Sequence, residues 1–371
     1  MVLLNDIVAG VKAAGAKSLK ESIALPMAAY NSKEFHEMEI ERILRPEWLL
    51  IGRVDQVEKP NSYLSIDLLG EALMLTRDAE GAVHVFSRVC PHRGMELLTG
   101  AGETPIFTCP YHAWLFDLSG ACRRAPFMQD SDGFDLKDHS LTPVAFELWN
   151  GFVFVNLSGT APPLGPQIAG LTERFKDLNL HDMVVAKTTD WGELAVDWKI
   201  LLENAMECYH HVGTHAKSLQ AIYPAELSWT EPGAEKFVIT YAVAKSERKE
   251  DEVLETAEML KRTTGEMITI FPITHFMVRS DGCSLLQIFP LGPGRIRMVT
   301  HVLLPRAVAQ GPSAKEILEA RAARSRKILG EDFDMCVGLQ RMTTTNSTRV
   351  GRLSQLEEPL WDFYRFLAAC I

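Results

Sequence analysis

CPHRG at residues 90–94 and CPYHAWLFDLSG at residues 109–120 hold two Cys–His pairs, Cys90 with His92 and Cys109 with His112, separated by 16 residues. Each pair sits where Pro and Gly bend the chain, so each is expected on a short loop at the end of strands. Two such loops facing one another offer two thiolates and two imidazoles to one site. Thiolates suit zinc or iron–sulfur, and imidazoles suit either. A structural zinc site with two Cys and two His is one reading, but the Cys-x-His start departs from the usual Cys-x-x-Cys knuckle. A [2Fe–2S] cluster with two Cys on one iron and two His on the other fits the spacing better.

Working outward, residues 47–158 read as short strands broken by turns. YLSIDLLG, EALMLTRDAEGAVHVF and WNGFVFVNLSG are rich in β-branched and aromatic residues, with Gly, Asp and Asn between them. The preceding stretch reads as helix, with FHEMEIERIL (35–44) at near-helical apolar spacing until Pro46 stops it. GTAPPLGP (159–166) reads as a boundary. Beyond it, HFMVRS, CSLLQIFPLGP and RIRMVTHVLLP are strand-like, with Pro293–Gly294 as a turn. Ser313 and Glu316 are expected to form a capping box for a helix that Gly330 stops. SERKEDE (246–252) reads as a solvated charge run or a flap.

The 371 residues suffice for roughly two to three domains. A formal net charge of -10 argues against a general nucleic-acid binder. No run of 18 apolar residues is present, so no membrane span is expected. The first 32 residues lack a continuous apolar centre, and the seven cysteines are an odd number, which together point to a reducing cytoplasm.

MECYHHVGTH (206–215) packs three of the chain's 11 histidines into ten positions. On one continuous helix, His210 lies on the face of Glu207 three residues earlier, while His215 falls about 140° round from His210. Gly213 is expected to bend the helix and bring His215 back. Helical geometry alone leaves His211 open as a ligand.

CPHRG and CPYHAWLFDLSG resemble the two loops of the iron–sulfur domain of Rieske oxygenases, and DWKILLENAMECYHHVGTH (197–215) resembles the catalytic motif of the same family. The resemblance implies that Cys90 and Cys109 hold one cluster iron and His92 and His112 the other. Histidine ligation raises the potential to about -150 to +300 mV and suits an electron relay. It further implies mononuclear Fe(II) on His210 and His215, with His211 at a variable position and therefore not a ligand. A facial triad needs a carboxylate and open positions for O2. Asp332, in GEDFDMCVGLQR (330–341), is the preferred third ligand and Asp334 the rival. Either carboxylate could instead stabilise a helix N-terminus after Gly330. Glu207 is implied as an electron-transfer bridge from His112 of a neighbouring subunit to His210, which calls for a head-to-tail homotrimer. Most relatives carry Asp there, and Glu is a feature of the branch acting on carnitine and other quaternary ammonium compounds. Asn204 and Tyr209 match family positions near the iron.

The architecture so implied is α+β: N-terminal helices (1–45) packing on the catalytic domain, an all-β Rieske domain (46–158), and a helix-grip catalytic domain (159–371). The implied activity is that of a terminal oxygenase. It would draw electrons from NADH or NADPH through a ferredoxin and/or flavin reductase and monooxygenate a carbon next to nitrogen. The outcome is N-dealkylation of an N-alkyl amide, an aryl amine (a chloroacetanilide-type herbicide, for example) or a quaternary amine. O-demethylation of a methoxy-arene and cis-dihydroxylation of an aromatic ring are alternatives. A non-catalytic Rieske electron carrier is another, but it leaves His210, His215 and Asp332 without a role. Pocket residues are expected from Met267, Ile270, Phe271, Phe276, Met277 and Phe289, with strand alternation sending about half of them into the core. Histidines such as His275 and His301, without partners at ligand spacing, could touch substrate.

Overall fold

Strands and helices sort into two units, Trp48–Leu164 and Met1–Glu47 with Gly165–Ile371. The computed structural model describes residues 2–245, 264–279, 282–345 and 349–371, so SERKEDE lies outside the described residues.

In Trp48–Leu164 the strands are β1 (Trp48–Arg53), β2 (Ser62–Leu68), β3 (Glu71–Arg77), β4 (Val83–Ser87), β5 (Ala101–Glu103), β6 (Phe107–Thr108), β7 (Leu115–Phe116), β8 (Cys122–Arg124), β9 (Ala145–Trp149) and β10 (Phe152–Asn156). They pair as three small sheets, β1-β10-β9, β4-β3-β2-β5 and β6-β7-β8. Asn150 and Gly151 both take positive φ, 49° and 81°, between β9 and β10. Two such residues give the turn whose twist matches the flanking strands. The core of this unit includes Phe107, Trp114, Phe116 and Leu118 together with Cys90 and Cys109.

The other unit carries β11 (Met183–Leu194), β12 (Trp229–Glu231), β13 (Phe237–Val243), β14 (Thr264–Ile270), β15 (Thr274–Arg279), β16 (Gly282–Gly292) and β17 (Arg295–Pro305). Among the described residues they form one sheet in the order β11-β17-β16-β15-β14-β13-β12, antiparallel throughout. The Trp198–Met206 helix packs on β14, β15 and β16, and the Ala314–Met342 helix packs on it in turn. The architecture is α+β, with a sheet against a central helix.

Lys199 fixes that helix to the N-terminal segment. Its ammonium is fully buried between Glu39 (2.6 Å) and Asp197 (2.7 Å). Removing one partner would strand an uncompensated charge in the interior. The Leu4–Ala16 helix packs on the Glu358–Cys370 helix. A Cβ on Gly15 would collide with Ala368, so glycine permits the close approach.

Three local expectations fail. The helix leading into the histidine run ends at Met206, and Glu207 leaves it with extended geometry, φ -128° and ψ 168°. Ser313 has φ -87° and ψ -1°, which keeps its hydroxyl off the helix end, so no capping box forms. The Ala314–Met342 helix runs straight through Gly330. An interior glycine costs about 1 kcal/mol relative to alanine, and packing on the Trp198–Met206 helix, with Cys336 buried beyond the glycine, offsets that.

Candidate metal centres

The two Cys–His loops share one backbone design. Cys90 N–H donates to Met95 O (2.8 Å) and Gly94 N–H to Cys90 O (3.0 Å). Cys109 N–H donates to Trp114 O (2.8 Å) and Ala113 N–H to Cys109 O (3.0 Å). The fourth residue after each cysteine is left-handed, Gly94 at φ 76° and Ala113 at φ 55°. Each loop thus closes on itself and holds its side chains on a fixed base. The rings of His92 and His112 meet at 4.7 Å, and His92 stacks on Trp114 at 4.7 Å.

A Rieske-type [2Fe–2S] cluster fits these residues. The Nδ1 atoms of His92 and His112 are buried without any hydrogen-bond partner. Orphaned buried nitrogens are costly unless something binds them. The Cys90 and Cys109 thiols are buried and unbridged. Burial pushes the Cys90 thiol up to about 11, so a cation would be needed to hold it as thiolate. Two sulfurs and two imidazole nitrogens are the donor set of such a cluster.

The second centre gathers side chains from distant segments. Glu207 turns back to accept a hydrogen bond from His210 N–H (3.1 Å) and engages His210 Nδ1 (2.7 Å). In doing so it caps the 3-10 turn Tyr209–Val212 that carries His210 and His211. Asp332 comes from the Ala314–Met342 helix. Its Oδ1 lies 2.8 Å from His215 Nε2 and 3.6 Å from His210 Nε2. Donor atoms of His210, His215 and Asp332 all lie within 4.8 Å of one another. Two histidines and one carboxylate fit a mononuclear iron. Asn204 donates to Asp332 Oδ1 (2.9 Å). Asp334, the rival ligand, is exposed, and Tyr209 is exposed as well.

Glu331 escaped the sequence reading. Its carboxylate engages His215 Nδ1 at 2.6 Å and accepts a hydrogen bond from Ser218. Each of the two histidines therefore has Nδ1 on a carboxylate and Nε2 turned to a common point, which is how outer partners orient metal-binding imidazoles. Burial opposes charge on His215, but Asp332 and Glu331 outweigh it and its pKa is raised. His211 differs. Its Nδ1 lies 2.9 Å from Tyr223 O, and burial lowers its pKa to about 4. In a further donor group, His36, Glu39 and Asp197, the two carboxylates already hold the Lys199 ammonium.

A cavity of about 220 Å³ opens onto this centre, bordered by Glu207, His210, His211, His215 and Asp332. Its floor is one face of the sheet: Met267 on β14, His275 and Met277 on β15, Ser284 and Leu286 on β16, Met298 and Thr300 on β17. Of the expected pocket residues, Met267 and Met277 line it, and Phe271, Phe276 and Phe289 do not. Phe276 and Phe289 have the opposite strand parity and face away. Phe276 pairs with Ile268 and Leu285. Phe271 packs on Phe363 and Phe366 at 5.6 and 5.1 Å. Ile270 is core as well.

Residues 175–371 match the family described as ring hydroxylating alpha subunit (catalytic domain), and residues 47–140 match the Rieske [2Fe-2S] domain. The carnitine monooxygenase oxygenase subunit of Acinetobacter baumannii is 34% identical over 193 residues, 50% of this chain and 50% of that protein. The glycine betaine monooxygenase oxygenase subunit of Chromohalobacter salexigens is 32% identical over 223 residues, 59% of this chain and 50% of that protein. The chain thus spans about half the length of these curated relatives. Chloroplastic choline monooxygenase of Spinacia oleracea is 25% identical over 354 residues, 92% of this chain and 77% of that protein. A solved quaternary ammonium Rieske monooxygenase superposes with a TM-score of 0.82 at 23% identity, covering 100% of this chain and 99% of that one. Naphthalene 1,2-dioxygenase from Rhodococcus sp. gives 0.77 at 16%, covering 99% and 98%. Both likenesses are of fold. By the match over its catalytic half, joined to the match over its iron–sulfur domain, the chain belongs to the ring hydroxylating alpha subunit family and carries a Rieske [2Fe-2S] domain.

Proposed function

We propose that the chain is the terminal oxygenase of a multicomponent system that oxidises a carbon bonded to nitrogen and so removes an N-alkyl group. Cys90, Cys109, His92 and His112 hold the cluster, and His210, His215 and Asp332 hold the iron. When bound, the cluster supplies electrons and the iron activates O2. O2, two electrons and two protons convert the N–CH bond's C–H to C–OH with release of water. The resulting hemiaminal then breaks its C–N bond, giving amine or amide and aldehyde. A ferredoxin and/or flavin reductase drawing on NADH or NADPH supplies the electrons. Glu207 orients His210 through Nδ1 and, in a homotrimer, tethers it to His112 of a neighbouring copy.

The cavity lining carries the substrate reading. Among the described residues no Phe, Tyr or Trp borders the cavity, and the remaining segments (246–263, 280–281, 346–348) contain none in their sequence. A permanent cation is best held in an aromatic cage. Arg279, Arg321 and Arg324 border the cavity instead. A neutral N-alkyl amide or aryl amine suits such a space better. The second reading, a quaternary amine, is favoured by the names of the relatives, which act on carnitine, glycine betaine and choline.

The test is turnover of the iron-loaded protein with a reductase on N-alkyl anilides, on glycine betaine and on choline. Aldehyde released in step with anilide loss is the expected result. Aldehyde from the quaternary amines alone supports the second reading. A cis-diol or O-demethylated product from arenes, with no aldehyde from any N-alkyl compound, overturns both.

A further inference from the structure

His275 is a polar group on the cavity that the metal centres leave without a task. It stands on the cavity face of β15, in line with Met277 two residues on. It is 5% exposed. Its Nδ1 lies 2.9 Å from Thr269 Oγ1, across the β14–β15 pair. No other hydrogen bond to either side chain is made among the described residues. A buried hydroxyl proton left unpaired is costly. Thr269 has only Nδ1 to give it to, so the hydroxyl donates and the imidazole carries its own proton on Nε2. The ring borders the cavity, and with Nδ1 held by Thr269 the Nε2–H is the donor the ring has left to offer there.

The neighbouring histidines do not compete for this role. His301 has Nδ1 2.9 Å from Thr188 Oγ1 and Nε2 2.6 Å from Gln287 Oε1, so both its nitrogens are engaged. His211 gives its Nδ1 proton to Tyr223 O and is left with a bare acceptor at Nε2. Burial also lowers the His275 pKa to about 4, which keeps the ring neutral near pH 7.

We propose that His275 is a specificity-determining residue whose Nε2–H donates to the acyl oxygen of a neutral N-acyl, N-alkyl substrate and so fixes which carbon faces His210, His215 and Asp332. A neutral donor, unlike Arg279, Arg321 and Arg324 on the same cavity, selects an acceptor oxygen without asking for charge. A site built to hydrogen-bond a substrate oxygen rejects an analogue that lacks it, because its own donor is then left unpaired. This assignment rests on the N-dealkylating reading above and narrows its substrate class.

The test uses the iron-loaded protein with two neutral probes, N-methylacetanilide, which has the acyl oxygen, and N,N-dimethylaniline, which lacks it. Both release formaldehyde on N-demethylation. Calorimetric Kd and the kcat/KM ratio of the two probes are measured for wild type, His275→Phe and His275→Gln. His275→Phe is expected to weaken anilide binding and to cut the anilide preference about tenfold, the scale of one buried hydrogen bond. The loss should sit mainly in KM. His275→Gln, which keeps a donor at the ε position, is expected to restore much of it, which a merely structural role would not produce. Equal anilide Kd and an equal ratio in wild type and His275→Phe overturn the proposal, as does failure of wild type to bind the anilide at all. Anilide binding that depends on His275, with no formaldehyde from either probe, supports the proposal and overturns the N-dealkylating reading instead.

Discussion

The two metal centres are built on opposite plans. Cys90 and His92 sit on one self-closing loop and Cys109 and His112 on another, each held by two backbone hydrogen bonds within six residues. The mononuclear centre instead joins a 3-10 turn to a helix, and His215 meets Asp332 across 117 positions of sequence. A locally closed loop keeps its shape when remote packing changes. A triad assembled across long range holds only while the Ala314–Met342 helix stays docked on Trp198–Met206. The first centre should therefore fail only through its own ligands, and the second through its supports as well.

The largest effect expected is from Cys109→Ala. It should lower iron from three per chain to one and abolish the cluster's visible absorption, leaving His210, His215 and Asp332 loaded. Loss of all iron would break the claim that the centres are independent. Asp332→Ala should remove one iron and all turnover while the cluster spectrum persists, whereas Asp334→Ala should leave three irons per chain. Iron analysis beside absorption spectra decides between the carboxylates.

Glu207→Gln comes next. Outer partners of metal-binding histidines are worth about 10–100-fold in metal affinity or activity, so turnover should fall by at least tenfold. Both centres should stay loaded if the carboxylate matters mainly for coupling them. Unchanged turnover would dismiss its role as a bridge.

The smallest effect tests the helix that supports the second centre. Glu203 accepts from Tyr30 Oη at 2.9 Å, and burial pushes its carboxyl up to about 8. Unfolded, the group titrates near 4.5. Between those values the native state holds a proton that the unfolded chain has lost, so stability declines as pH rises through that window and levels above it. Glu203→Gln should flatten the fall in Tm between pH 5 and 8. A Tm profile parallel to wild type would contradict the assignment.

Legibility in the sequence followed the same divide. The loop cysteines and histidines could be read because their spacing lies within a single turn of chain. His210 and Glu207 could be paired correctly although the helix supposed to carry them ends at Met206. Glu207 lies outside the 3-10 turn, but its side chain folds back onto His210 N–H, so the pairing survives the change of element. Glu331 stayed hidden because a carboxylate beside Asp332 announces nothing until His215 is folded against it. His275 gave no signal either, since its partner Thr269 is set by the β14–β15 register.

By itself, the sequence determined the kinds of donor available, the family they belong to, and which short segments carry them. Only the tertiary structure decided which carboxylate stands beside His210 and His215 and which strand face floors the cavity. Alternation along a strand offers two faces one residue apart, and no residue states which of them will meet the helix. Phe276 and Met277 are adjacent in the chain, yet the register turns one into the interior and the other toward the cavity.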